Sequence, residues 1–160
     1  MQPEHPYTQI VHHLNEAMRL LSEQGYEPTL SKGQVGEFIT ALAVGMRVSD
    51  GGGGADIVDD LGRVYEVKYS QDDQFNFNIG RWLPEQESNQ RLEQKFGHME
   101  GAYLTLAEGH TIQSILYLPM NSFLPVIREH CAAIPEPNTH QFNGNLQTWS
   151  ERVDGSYFVI

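Results

Sequence analysis

Three ionisable residues interrupt an otherwise β-forming stretch: Asp56, Glu66 and Lys68, within GGGGADIVDDLGRVYEVKYS at positions 51–70. The stretch reads as two short strands, ADIVD and RVYEVKYS, joined through Asp60, Leu61 and Gly62. A three-residue hairpin loop favours glycine in its left-handed position, and Gly62 stands there. Asp59 then pairs with Arg63. Counting outward sets Asp56 opposite Glu66, where paired side chains share a face with Cβ atoms about 4.5–5.5 Å apart. Lys68, two residues on, returns to that face, while Tyr65, Val67 and Tyr69 point to the other. One face is apolar. The other gathers two carboxylates and an ammonium.

Two carboxylates that close repel each other unless a cation lies between them. Lys68 can neutralise one. A hard divalent ion held by both fits better, because Mg²⁺ prefers carboxylate oxygens and keeps several waters. Water held in that way beside an amine becomes a nucleophile for phosphodiester hydrolysis. The glycines Gly51 to Gly54 would let a bulky backbone, such as a nucleic acid duplex, approach closely. The plain alternative is a surface hairpin whose acid–base pairs are only solvated.

The elements that must position this hairpin follow from period and punctuation. Residues 7–24 place Ile10, Leu14, Ala17, Met18 and Leu21 at helical spacing, with Gly25 as a stop. His12 and His13 fall on or beside its polar face, as solvated side chains. Ser31 is a cap for a second helix over 33–46, whose core face is expected at Val35, Phe38, Ile39, Leu42 and Ala43. Glu37 is the lone acid within it. A third strand, FNFNI at 75–79, carries Asn76 and Asn78 on one face, and Asn can bond an adenine edge in the major groove. A polar helix over 84–99 has a thin apolar line of Leu92, Phe96 and Met99. Strands AYLTLA and TIQSILYLP surround the turn EGH. A helix over 121–133 takes Pro125 in its first turn or kinks there. The tail, rich in Asn, Gln and Pro, ends in a strand, GSYFVI. This order predicts the α/β class: a single domain over 1–160 with a mixed β-sheet flanked by helices. Its parts are a helical portion at 1–46, a core at 50–134 and a tail at 135–160.

Charge opposes a generic polyanion binder, since 10 Lys and Arg against 21 Asp and Glu leave −11. A basic cleft on an acidic body, with bound metal, would reverse that locally. No apolar run is long enough to span a bilayer, and the first residues lack the basic-then-apolar layout of a secretory signal. Cys131 is the sole cysteine. It excludes an intrachain disulfide, reads as a small buried hydrophobe, and predicts a reducing, cytoplasmic setting.

An acid, then Glu-x-Lys on a hairpin, preceded by a helix with a lone glutamate and followed by a strand and a helix, resembles the PD-(D/E)XK nuclease superfamily. The likeness is greatest to restriction endonucleases of about this length. It is strongest over residues 50–70 and looser over TLAEGHTIQSILYLPMNSFLPVI. The resemblance implies a restriction-endonuclease-like core and a metal-dependent endonuclease acting on double-stranded DNA as a homodimer. Helix 7–24 would be the dimer contact. Asp56, Glu66 and Lys68 would be catalytic. Asp56 and Glu66, joined by the backbone carbonyl of Val67, would hold Mg²⁺ or its substitute Mn²⁺, and Lys68 would orient the attacking water. Glu37 matches the helix glutamate of many members, which would make it a further metal ligand, and reads equally as a solvent-side charge. Ala55 stands where the family often has proline. The histidine-rich segment that reads DNA in the most similar enzymes is replaced by SQDDQFNFNIGRW. Asn76, Asn78 and Arg81 are the DNA-binding candidates left, with Trp82 as a base contact or a core residue. The alternatives are a structure-selective, junction-resolvase-like nuclease, an RNA-cleaving relative, or a non-catalytic acidic binding protein of the same fold.

Overall fold

A computed structural model describes residues 6–27, 31–49, 54–81, 85–133 and 139–160. The chain divides into two units, one up to Val35 and one over Gly36–Ile160. In the first, helix α1 spans Pro6–Glu23 and carries Arg19 paired with Glu16 and Glu23. Its apolar Ile10, Leu14 and Leu20 are exposed, as are His12 and His13. Helix α2 spans Lys32–Val44 and begins as expected on Ser31. The Gln34 N–H donates to Ser31 Oγ at 3.2 Å, and the Ser31 N–H donates to Gln34 Oε1 at 3.1 Å. That reciprocal pair is a capping box.

The second unit is α/β, built on a mixed six-stranded sheet. Strands β1 (Arg47–Val48), β2 (Ile57–Val58) and β3 (Val64–Ser70) pair antiparallel in sequence. Strand β4 (Phe75–Arg81) and helix α3 (Glu85–Phe96) then carry the chain to β5 (Gly101–Glu108), which runs parallel to β3. A parallel pair needs such a crossover. Strand β6 (Thr111–Pro119) returns antiparallel to β5, helix α4 (Met120–Ala132) follows, and β8 (Tyr157–Phe158) closes the far edge against β6. Pro125 lies inside α4 at its sixth residue, past the first turn expected for it.

Three features depart from the sequence reading. The strand at 75–79 does not join the main sheet; β4 pairs with β7 (Thr139–Gly144) in a separate two-stranded ribbon. The tail holds β7 and helix α5 (Leu146–Arg152) besides its final strand, so it builds structure rather than trailing off. The packing face of α2 is also different. Leu42 is 84% exposed, and the buried positions are Gly36, Thr40 and Ala41. Small residues win there because the helix comes very close to the sheet: a Cβ on Gly36 would lie 2.4 Å from Tyr69 Cβ. The hydroxyls of Thr40 and Thr105 meet at 2.7 Å in the same buried contact.

Two apolar clusters cover the two faces of the sheet. One contains Ile57, Tyr65, Val67, Tyr103 and Ile115 with Ala41 of α2. The larger contains Phe77, Phe96, Phe123 and Trp149 over Leu104, Leu116 and Leu118. Among the described residues, no helix is long and apolar enough to cross a membrane.

Candidate active site on the β2–β3 hairpin

The hairpin forms with the expected loop. The Asp59 N–H donates to the Arg63 carbonyl at 3.0 Å, the Gly62 N–H donates to the Asp59 carbonyl at 3.1 Å, and Gly62 sits at φ +78°. Pairs Val58–Val64 and Ile57–Tyr65 continue the register. The Asp59 carboxylate fastens the turn. It accepts the N–H groups of Leu61 and Arg63, both at 2.9 Å, the Arg63 Nε at 2.7 Å and the Tyr65 hydroxyl at 3.1 Å. Burial pushes its pKa up, and those four donors together hold it below the ordinary value.

Asp56 departs from strict alternation. Its N–H donates at 3.0 Å to the carbonyl of Tyr65, the residue that Ile57 faces, so two residues oppose one. Ala55 and Ile57 accordingly pack into different clusters, although two residues apart. This is the arrangement of a β-bulge, a device that re-aims a side chain. The Asp56 carboxylate turns onto the backbone of β3, where Oδ2 accepts the Val67 N–H at 2.7 Å. It therefore stands beside Glu66 and Lys68, though not directly across from Glu66.

Glu66 is buried, at 6% exposure, and its Oε1 accepts from Lys68 Nζ at 2.5 Å. That ammonium also lies 5.6 Å from the centre of the Phe77 ring. Burial and then the charge of Glu66 raise the Asp56 carboxyl to about 6, against the lowering effects of the Val67 N–H, Lys68 and Lys95. Glu37 belongs to the same electrostatic group. Burial, then Asp56 and Glu66, raise it to about 7, and Lys68 opposes them. Gly36 and Thr40, by letting α2 approach the sheet, bring that glutamate close. The group is short of positive charge.

The second unit also presents the expected amide face. Along β4, Phe75 and Phe77 are buried, while Asn76 and Asn78 are exposed. Across the ribbon Asn76 pairs with Asn143 and Asn78 with Gln141. Asn143 is exposed, and the sequence reading missed it. The signal was the alternation in QFNG, where Phe142 faces the core. Lys95, on α3, also reaches the ribbon. Its Nζ donates to the Asn78 carbonyl at 2.9 Å. Backbone pairing sets Arg81 opposite Thr139. The side chains of Arg81 and Cys131, and residues Gly51 to Gly53 and Trp82, lie outside the described residues.

Oxygen donors beside too little positive charge suit a hard cation such as Mg²⁺. Among the described residues no group of three or more His, Cys, Asp or Glu is arranged to hold a metal ion. A cation of that kind would have Asp56 and Glu66 as its two carboxylates, with water in its remaining positions. No protein-family model matches the chain, and no curated protein matches it.

Proposed function

We propose that this chain is a Mg²⁺-dependent endodeoxyribonuclease that hydrolyses phosphodiester bonds in double-stranded DNA, a restriction-type relative of the PD-(D/E)XK enzymes. The observation that carries the reading is the convergence of Asp56, Glu66 and Lys68 on one hairpin, with the Asp56 carboxyl raised to about 6. Mg²⁺, or Mn²⁺ in its place, would supply positive charge to draw in a phosphate and offset the charge that builds on it. Asp56 and Glu66 would hold the ion, joined by the backbone carbonyl of Val67. Lys68, bonded to Glu66 and 29% exposed in its side chain, orients the attacking water. Glu37, raised to about 7 by burial and by its neighbouring carboxylates, would be drawn toward its charged form by such an ion.

Duplex DNA is the substrate that the ribbon favours. A two-stranded ribbon fits the major groove, and Asn side chains pair with adenine there. Asn76, Asn78 and Asn143 are the reading residues, and Arg81 is the phosphate contact. One set of catalytic residues serves one strand, so a homodimer makes the double cut, with the exposed Ile10, Leu14 and Leu20 of α1 as its contact. A cytoplasmic setting follows from the lone cysteine.

The test is incubation of the purified protein with plasmid, branched DNA and RNA, in Mg²⁺, in Mn²⁺ and in EDTA. Discrete plasmid bands, lost in EDTA, are expected. Cleavage confined to branched DNA or to RNA would move the reading to the resolvase or ribonuclease alternative. No cleavage of any of the three in either metal would leave a binding protein.

A further inference from the structure

Two lysines from different elements grip adjacent residues of β4. Lys68 on β3 lies against the ring of Phe77, 5.6 Å from its centre. Lys95 on α3 donates to the carbonyl of the next residue, Asn78, at 2.9 Å. The second contact falls where the β4–β7 register shifts, between Asn78 and Gly80. A ladder is weakest at such a break, and an ammonium there fixes the path of the strand. Lys95 is itself seated. Its Nζ lies 5.0 Å from the centre of the buried Phe96 ring, and Phe96 packs edge-on against Phe77. Its charge also reaches Asp56. One exposed lysine thus touches the ribbon beside the residue that Lys68 approaches from the hairpin.

We propose that Lys95 is a positioning residue that ties the amide-bearing ribbon to α3 at the register break, beside the Lys68–Phe77 contact between hairpin and ribbon, so that base reading by Asn76 and Asn78 sets the alignment of the scissile phosphate. This deepens the nuclease reading and rests on it. Freed of Lys95, β4 keeps its buried Phe75 and Phe77 but loses the constraint at the register break. The amides then hold the duplex without fixing the phosphate against Lys68. Misplacement of that kind slows the chemical step more than it weakens binding. Arginine at the same position can still reach a carbonyl, and methionine cannot.

The test compares wild-type, Lys95→Met and Lys95→Arg full-length chains by two measurements. The first is amide hydrogen exchange across Phe75–Arg81 and Thr139–Gly144 without DNA. Exchange should quicken by about fivefold in Lys95→Met, the loss of one hydrogen bond, and return with arginine. The second is steady-state cleavage at the preferred site and at a site with one base pair changed. In Lys95→Met, kcat at the preferred site should fall by about a hundredfold with KM little changed, narrowing the gap between the two sites, and arginine should restore it. Unchanged exchange in Lys95→Met overturns the proposal. So does faster exchange with kcat and discrimination intact. A wild-type chain that cuts no nucleic acid overturns the nuclease reading and this inference together. A wild-type chain that cuts beside an equally selective Lys95→Met chain overturns this inference alone.

Discussion

The Asp56 carboxylate accepts the backbone N–H of Val67 at 2.7 Å, between the two residues of the Glu66–Lys68 ion pair. An aspartate on one strand is thereby fastened to the strand that holds its partners. The fastening costs a ladder position, because the bulge at Asp56 spends one residue without a direct opposite. It also leaves the second oxygen of that carboxylate for a cation.

Lys68→Ala should leave both carboxylates and the bulge in place. Cleavage should fall by about three orders of magnitude or more, since positioning and charge stabilisation supply much of such a rate. Binding to duplex DNA in Ca²⁺, measured by anisotropy, should stay within about threefold of wild type, one cation being a small part of a salt-dependent interface. A Lys68→Ala chain that cuts at the wild-type rate would remove the hairpin from the chemistry.

Asp56→Ala should abolish cleavage for a different reason, the loss of a metal ligand. Titration calorimetry with Mg²⁺ or Mn²⁺ should show affinity weakened by about tenfold or more, the scale known for altered metal sites. Wild-type affinity in this variant would place the ion elsewhere.

The raised acids fix the sign of one pH effect. Folded values of about 7 for Glu37 and about 6 for Asp56 exceed the ordinary 4.5 and 3.8. The folded chain therefore holds these protons more tightly than the unfolded one. Their contribution is fully present below about pH 4 and is lost as pH rises through about 7. Glu37→Gln should melt close to wild type at pH 4 and higher than wild type at pH 8. The gain should be about 2–4 °C, small because the side chain is only half buried. A gap that closes as pH rises would contradict the placement of Glu37.

Gly36→Ala tests the close approach of α2. The added Cβ would lie 2.4 Å from Tyr69 Cβ and 2.6 Å from Cγ, so helix or strand must shift. A loss of about 1–3 kcal/mol in urea unfolding is expected, more than the helix propensity gained from alanine. Unchanged stability would mean that the contact is loose.

Asn143→Ala should relax base preference at one position. A well-formed bidentate contact is worth about 1–3 kcal/mol of discrimination. Selection of cleaved sites from a randomised pool would show the relaxed position, and Asn76→Ala should act on the same or the adjacent base pair. Unaltered preference in both variants would exclude the ribbon as the reading element.

Much of the site was legible because its determinants are local. Gly62 after Asp60 and Leu61 sets the loop, and alternation through Tyr65, Val67 and Tyr69 sets the core face of β3. The bulge was not legible, since counting along a strand assumes an unbroken ladder and Asp56 breaks it. The packing face of α2 was hidden for the opposite reason. Gly36, Thr40 and Ala41 carry almost no hydrophobic signal, yet they allow the closest approach, while Leu42 has the signal and faces solvent. Strand β7 was lost in a polar tail. Its pairing of Gly144 with Phe75 spans too much chain for any local pattern to report.

Asp56 and Asp59 are the same residue type, three positions apart on one hairpin arm. Asp59 has its oxygens occupied by Leu61, Arg63 and Tyr65, and its pKa is lowered, whereas Asp56 has a single backbone donor and its pKa is raised. A scan that scores only survival of activity would find both positions intolerant and could not tell them apart. Heat separates them. Loss of Asp59 should abolish activity by unfolding the turn, at a lower melting temperature. At pH 8, where the charged Asp56 carboxylate is disfavoured in the fold, its loss should leave a chain that melts close to wild type but no longer cuts.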